Sequence, residues 1–428
     1  MSHTDYTRNI LNIKDRNIYF SENCLEVKKI KGIMTKVFYG VLTYIPTHCD
    51  KCGCLNEGHD DIIKWGFKRN CNVKLPKLSG YNTILKLTKQ RYYCKHCNDT
   101  FIATTSLIDK YKSISRNSEL QIKLDLMDKI SEKDISKRNN VSHNKVNRIM
   151  DEISIKTVLP GTLPTIMNFD EFKATKDTLG KMAFLITNNE TGQVFDILES
   201  RKYNYLDKYF RRYGKNQRDK VKFIITDMYK PYLKLSKALF KNAEIVIDRF
   251  HIVGQAYTAL NITRVKLCVK SNPNYNKLKH YWKLILKNEN DLNDKKKTYS
   301  KHFKKYLTEQ EIVTYLINTN STLKATYNTY QGIINSIRDK DINKFLNIIH
   351  KKQDNLSPHM IKSLRTYRDF EKYIINSFKY NYNNGVIEGT NNLIKCIKRI
   401  AFGYRSFNHF KTRILLIKGI IKIKNVIA

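Results

Sequence analysis

"TIMNFDEF" (165–172) and "VKFIITDM" (221–228) decide how this chain is read. Each contains a short apolar run ending on an aspartate, Asp170 or Asp227, with the length and β-branched content of a buried strand. Around them the pattern alternates. "KMAFLITN" (181–188) and "QVFDILES" (193–200) read as strands joined by the turn "NNETG", and "AEIVID" (243–248) as a fifth strand. "YLDKYFRRYG" (205–214) and "YKPYLKLSKALF" (229–240) have the spacing of amphipathic helices. An antiparallel meander followed by alternating helices and strands predicts a mixed sheet of the α/β class. If the strands of Asp170 and Asp227 are parallel neighbours, about 4.8 Å apart, their carboxylates converge at one edge of the sheet. Glu171 is a rival to Asp170, but consecutive strand residues face opposite ways, so one of the two alone can join Asp227. Converging carboxylates repel one another, which makes sense chiefly around a divalent cation.

Upstream, "HCDKCGC" (48–54) and "RYYCKHCND" (91–99) supply Cys49, Cys52, Cys94 and Cys97 as two Cys-x-x-Cys pairs. Two such turns aim four thiolates at one point, the tetrahedral set that structural Zn²⁺ prefers. Gly53 and Asn98 suit the left-handed backbone of those turns, and Cys54 or Cys71 is an alternative to a member of the first pair. "SEKDISKRNNVSHNKVNRIMDEIS" (131–154) reads as helix, turn, helix, with Ser131 and Ser142 as caps and Val146, Ile149 and Met150 as the inner face. His143, Asn144, Lys145, Asn147 and Arg148 then face outward, able to reach base edges or phosphates; an ordinary helical hairpin has the same pattern. The prolines and glycine of "VLPGTLPTIM" (158–167) mark a domain boundary.

Residues 253 to 378 show helical spacing throughout and predict an all-helical insertion, in which Trp282 and several tyrosines are either core or stacking groups. The chain closes on a helix starting near Glu388 and a basic stretch with Lys395, Lys398, Arg399, Tyr404 and Arg405, candidates for phosphate contact. The net charge of +39 over 428 residues makes double-stranded DNA the expected partner. No apolar run escapes interruption by lysine for long enough to span a membrane, and no secretory signal opens the chain, so a cytoplasmic, nucleoid-associated protein is expected. Nine cysteines there point to thiols or metal ligands.

The order of cysteine module, helix-turn-helix, "NFDEF", "ITDMY", "IDRFH" and "GVIEGTNNLIKCIKRIAFGYRSF" resembles the transposases of the ISL3 insertion-sequence family. The resemblance runs from about residue 35 onward. It implies an RNase H-like catalytic domain with an Asp, Asp, Glu triad holding two Mg²⁺ or Mn²⁺ ions. Matched motif to motif, the triad is Asp170, Asp227 and Glu388, with Asp248 and His251 of "DRFH" as accessory residues. The implied organisation is an N-terminal segment (1–45), a zinc-ribbon-like module (46–105), an all-α helix-turn-helix (115–156), and a catalytic domain in two parts (162–252 and 379–428) interrupted by the helical insertion (253–378). A homodimer is expected because two DNA ends must be brought together. The rival readings are a non-catalytic, zinc-containing DNA-binding regulator and a stand-alone nuclease.

Overall fold

The computed structural model describes residues 2–155, 161–382 and 385–423, so the first part of the expected boundary, residues 158–160, lies outside the described residues. The chain divides into two units, Met1–Val158 with Ile394–Ala428, and Leu159–Leu393.

The first unit opens with α1 (His3–Ile10), whose start is held by reciprocal bonds between Ser2 and Asp5. Five strands follow: β1 (Ile18–Ile30), β2 (Ile33–Leu42), β3 (Ile62–Leu78), β4 (Tyr81–Cys94) and β5 (Asp99–Ile102). They form one sheet in the order β1-β2-β4-β3, with β5 on β4. The segment before residue 46 therefore contributes two strands to the sheet that carries the cysteines. Ile18, Phe38, Leu85, Leu87 and Tyr92 fill its core. Then come α2 (Arg116–Asp125), α3 (Glu132–Arg138) and α4 (His143–Ile155). Ser131 caps α3 by accepting from the Asp134 N–H, and Asn140 turns the chain at φ +51°. Val146, Ile149 and Met150 of α4 are fully buried, as their spacing requires.

The second unit is built on a mixed sheet: β6 (Ile166–Lys173), β7 (Met182–Asn188), β8 (Val194–Leu198), β9 (Phe223–Thr226) and β10 (Glu244–Ile247), in the order β10-β9-β6-β7-β8. The pairs β6·β7 and β7·β8 are antiparallel, while β6·β9 and β9·β10 are parallel. The connections are α5 (Tyr203–Phe210), α6 (Lys215–Arg218) and α7 (Lys230–Leu239). They cover one face of the sheet, where Phe169 packs edge-on against Phe184 and lies near Phe210 and Tyr232. After β10, α8 (Arg249–Leu267) leads without interruption past residue 253 into the insertion. That segment comprises α9 (Tyr275–His280), α10 (Trp282–Ile285), β11 (Thr298–Ser300), β12 (Lys305–Leu307), α11 (Glu309–Ile317), α12 (Ser321–Arg338), α13 (Ile342–His350), α14 (Pro358–Asp369) and α15 (Glu371–Lys379). The expectation of helices alone is thus corrected by the antiparallel hairpin β11–β12. Its strands of three residues are too short to display a period, and Tyr299 and Tyr306 pair across it. Trp282 packs against the insertion's core, beside buried Leu278 and Ile285.

The last helices are α16 (Gly385–Ile400) and α17 (Phe407–Ile417). The division between units falls within α16, so the final stretch groups with the N-terminal unit although the sequence reading attached it to the catalytic part. In the first unit α17 lies on α4, and His409 bonds Asp151 at 2.6 Å. Arg413 of α17 is only 1% exposed, and its guanidinium donates to the carbonyls of Leu126, Asp128 (3.0 Å) and Ile130 (2.6 Å). The terminal nitrogens of this permanent cation are thus taken by carbonyls at and just beyond the end of α2, while its Nε is buried without a partner. Arg413→Ala is expected to cost roughly 3 kcal/mol, since hydrogen bonds from charged donors contribute about 1.5–3 kcal/mol each and partly compensate one another. Hydrogen exchange of the α3 and α4 amides reads it; wild-type protection in the variant would show that this tie is dispensable.

Candidate active site and metal centre

Register places the two aspartates. Ile166 lies opposite Phe223 and Asn168 opposite Ile225, so Asp170 and Asp227 stand at the same step, each two residues further on and on the same face. Asp170 does not end its strand, which continues to Lys173; it stands where the β6·β9 pairing stops while pairing with β7 goes on, Asp170 facing Leu185. Such an opening at the carboxyl ends of parallel strands is where α/β sheets place ligands. β10 runs in the same register, and Asp248, just past its end, caps α8 through the Phe250 N–H.

The electrostatics are those of acids held out of water. Burial pushes Asp170 above the usual carboxylate range, opposed by the Glu171 N–H, His251 and Asn391. Burial likewise raises Asp227 to about 6, with His251 opposing and the carboxylates of Glu171 and Asp170 adding to the rise. Oδ1 of Asp227 is buried without a hydrogen-bond partner. Glu171 is engaged elsewhere: it pairs with Arg201 and accepts from the Tyr232 hydroxyl at 3.2 Å. His251 lies 3.8 Å from Asp248.

Glu388 is exposed in the first turn of α16. One turn later, Asn391 donates to Asp170 Oδ2 at 2.7 Å, while its own buried Oδ1 has no partner. Residues three apart share a helix face, so Glu388 stands on the side of α16 that meets Asp170. Among the described residues, the three acids do not close into a group with all donor atoms within 4.8 Å; only the four cysteines do. Nothing in the sequence pattern signalled Asn391, since the amide acts through a contact 221 residues away. Also unannounced was a cavity of about 560 Å³ between α8 and α14 that begins at Asp227 and is lined by His251, Gln255, His359, Lys362 and Thr366. His359 Nε2 is buried there without a partner.

A buried, unpaired carboxylate oxygen, a second raised carboxyl beside it and an unpaired amide oxygen are the hard donors that Mg²⁺ or Mn²⁺ takes. The residues fit such an ion.

In the first unit, Cys49, Cys52, Cys94 and Cys97 form a group able to hold a metal ion. The Cys49–Cys97 and Cys52–Cys94 sulfur separations are both 3.8 Å, the edge of a tetrahedron whose metal–sulfur bonds are about 2.3 Å. Gly53 at φ +77° and Asn98 at φ +55° complete the two turns. Desolvation and the neighbouring sulfurs push Cys97 up to about 12, a conflict that a cation removes. Cys54 and Cys71 stand outside the group.

Of the other expected contacts, His143, Asn144 and Arg148 are exposed on α4 and Asn147 is half-buried, 3.4 Å from His143. Lys145 is turned inward to Glu119 at 2.6 Å. Lys395, Arg399 and Arg405 are exposed, whereas Lys398 lies over the Phe410 ring and Tyr404 stacks on it. Among the described residues no helix is long and apolar enough to cross a membrane.

Two comparisons bear on this geometry. Residues 167–414, more than half of the chain, match the family model of the ISL3-type DDE elements, described as a transposase. A stretch of 128 residues is 34% identical to an ATP-dependent protease of Lactococcus lactis subsp. lactis; it covers 30% of this chain and spans 41% of that relative.

Two outcomes follow from the carboxyl and thiol geometry. Asp227, whose carboxyl ordinarily titrates near 3.8, is raised to about 6, so the folded state holds its proton more tightly than the unfolded chain. Stability from this group is present below about pH 4 and lost as pH rises through 6, a difference on the order of 2–3 kcal/mol. In magnesium-free buffer Asp227→Asn is therefore expected to unfold at a higher urea midpoint than wild type at pH 7.5, with the gap shrinking by about half at pH 5. Zinc analysis should find about one ion per chain, lost in Cys94→Ser and retained in Cys71→Ser.

Proposed function

The chain belongs to the ISL3 family of transposases, and from that premise we propose that it binds the terminal inverted repeats of an insertion sequence and performs Mg²⁺-dependent strand cleavage and transfer with Asp170, Asp227 and Glu388. The observation that carries this reading is the shared register step of Asp170 and Asp227, both half-buried, with Asp227 Oδ1 buried and unpaired. The sheet order, antiparallel on one side of β6 and parallel on the other, supports an RNase H-like domain. Two Mg²⁺ or Mn²⁺ ions bound to the triad would supply activation of the attacking water or 3′-hydroxyl and stabilisation of the leaving oxygen.

The protein's own groups do the rest. Asn391 holds Asp170 in orientation through its amide N–H. Lys362 and His359, on one face of α14, offer donors to a phosphate in the cavity that starts at Asp227. His251 opposes the raised pKa of both aspartates and keeps them ready to ionise. In the other unit α4 presents His143, Asn144 and Arg148 to the major groove, and the exposed Lys395, Arg399 and Arg405 take phosphates. Zinc in the four-cysteine group is structural, tying β4 to the turn at Cys49. The active assembly is a homodimer that holds two element ends in the cytoplasm, at the nucleoid.

Incubation with the DNA flanking the gene tests the reading. Asp170→Ala, Asp227→Ala and Glu388→Ala are each expected to reduce Mg²⁺-dependent nicking by at least about a hundredfold, the scale of a lost metal ligand, with end binding retained. Wild-type protein that shifts this DNA without ever cutting it would be a regulator. A fully active Glu388→Ala would remove Glu388 from the triad.

A further inference from the structure

The turn between α16 and α17 holds an aromatic side chain that the fold does not use. Phe402 is 97% exposed, at φ +54°. It occupies the left-handed position that ends α16: its N–H bonds the Arg399 carbonyl at 3.0 Å, and the Gly403 N–H bonds that of Lys398 at 2.9 Å. That position ordinarily takes glycine, because a side chain there crowds the backbone. Phe402 therefore combines strain with an apolar ring wholly in water, and folding accounts for neither. Tyr111, exposed at φ +64°, differs: it ends in a polar hydroxyl, and Lys110 lies over its ring at 5.4 Å.

The surroundings indicate the occupant. The exposed cations of Lys395 and Arg399 precede Phe402, and Arg405 follows it, with no acid in the turn. The turn is firmly mounted, since Tyr404 stacks on Phe410 at 4.8 Å and Ser406 caps α17. It is joined to α4 through α17, where His409 bonds Asp151 at 2.6 Å. An apolar ring framed by phosphate-seeking cations, on the unit that carries the helix-turn-helix, matches the wedges by which proteins unstack a base step. We propose that Phe402 is such a wedge, inserted against the bases of the duplex DNA that this unit holds through Arg399 and Arg405.

This inference rests on the DNA-binding reading above, and the experiment separates the two. The full-length protein is titrated by fluorescence anisotropy against duplexes tiling the DNA that flanks its gene, over a range of salt. Phe402→Gly is expected to weaken binding by about tenfold or more, the scale of one lost base–aromatic contact, and Phe402→Trp to retain it. The salt slope should be unchanged in Phe402→Gly and fall by about one in Arg399→Ala. Relief of the strained turn should raise the thermal midpoint of Phe402→Gly by roughly 2–4 °C, whereas a packing role would lower it. Wild-type-like binding by Phe402→Gly, or a lowered midpoint, overturns the wedge and leaves DNA binding standing. A wild type that binds none of the duplexes overturns both.

Discussion

The arrangement of the second unit depends on the parallel ladder that aligns β10, β9 and β6. Its hydrogen bonds fix Asn168 against Ile225 and Ile225 against Val246, so that Asp170, Asp227 and Asp248 stand at one level. Parallel strands need long crossovers, and here the helical connections bury the far face around Phe169 and Tyr232. The aspartates are thereby drawn into a dry setting that opposes their ionisation. A one-residue slip in the ladder would turn Asp170 into the aromatic core and present Phe169 in its place. The energetic conflict of two half-buried acids is thus maintained by a large apolar contact on the other side of the same strand.

Much of this was legible because strands and short-range motifs write themselves into sequence with a fixed period. The five strands of the mixed sheet, the two Cys-x-x-Cys turns and the buried stripe Val146, Ile149, Met150 all have signals within a window of a few residues. What escaped had no local signature. Asn391 matters only because α16 brings it to Asp170; Arg413 is buried by partners far up the chain, and a lysine-rich surface hides such an arginine in the composition. Lys145 has the outward look of a groove-reading residue until Glu119, on another helix, claims it. The hairpin β11–β12 was missed for a different reason, that three-residue strands carry no readable alternation.

The two sets of candidate metal ligands ask opposite things of the protein. The four thiols are gathered by turns closed within a few residues of each pair, and their 3.8 Å spacings already match a tetrahedron. The proposed acids come from β6, the end of β9 and α16, and among the described residues they do not close into such a group. A soft, closed set suits an ion that never leaves. A hard, open set suits ions that arrive with a substrate and share their coordination with it.

The burial of Arg413 has a consequence for how the molecule is made. Its guanidinium reaches a carbonyl 287 residues earlier in the chain, so the turn after α2 emerges from the ribosome long before the group that satisfies it. Until then the carbonyls of Leu126, Asp128 and Ile130 must be served by water. A translation product released early would carry α4 on a platform lacking its last strut, and completion of synthesis is itself a condition for the finished unit.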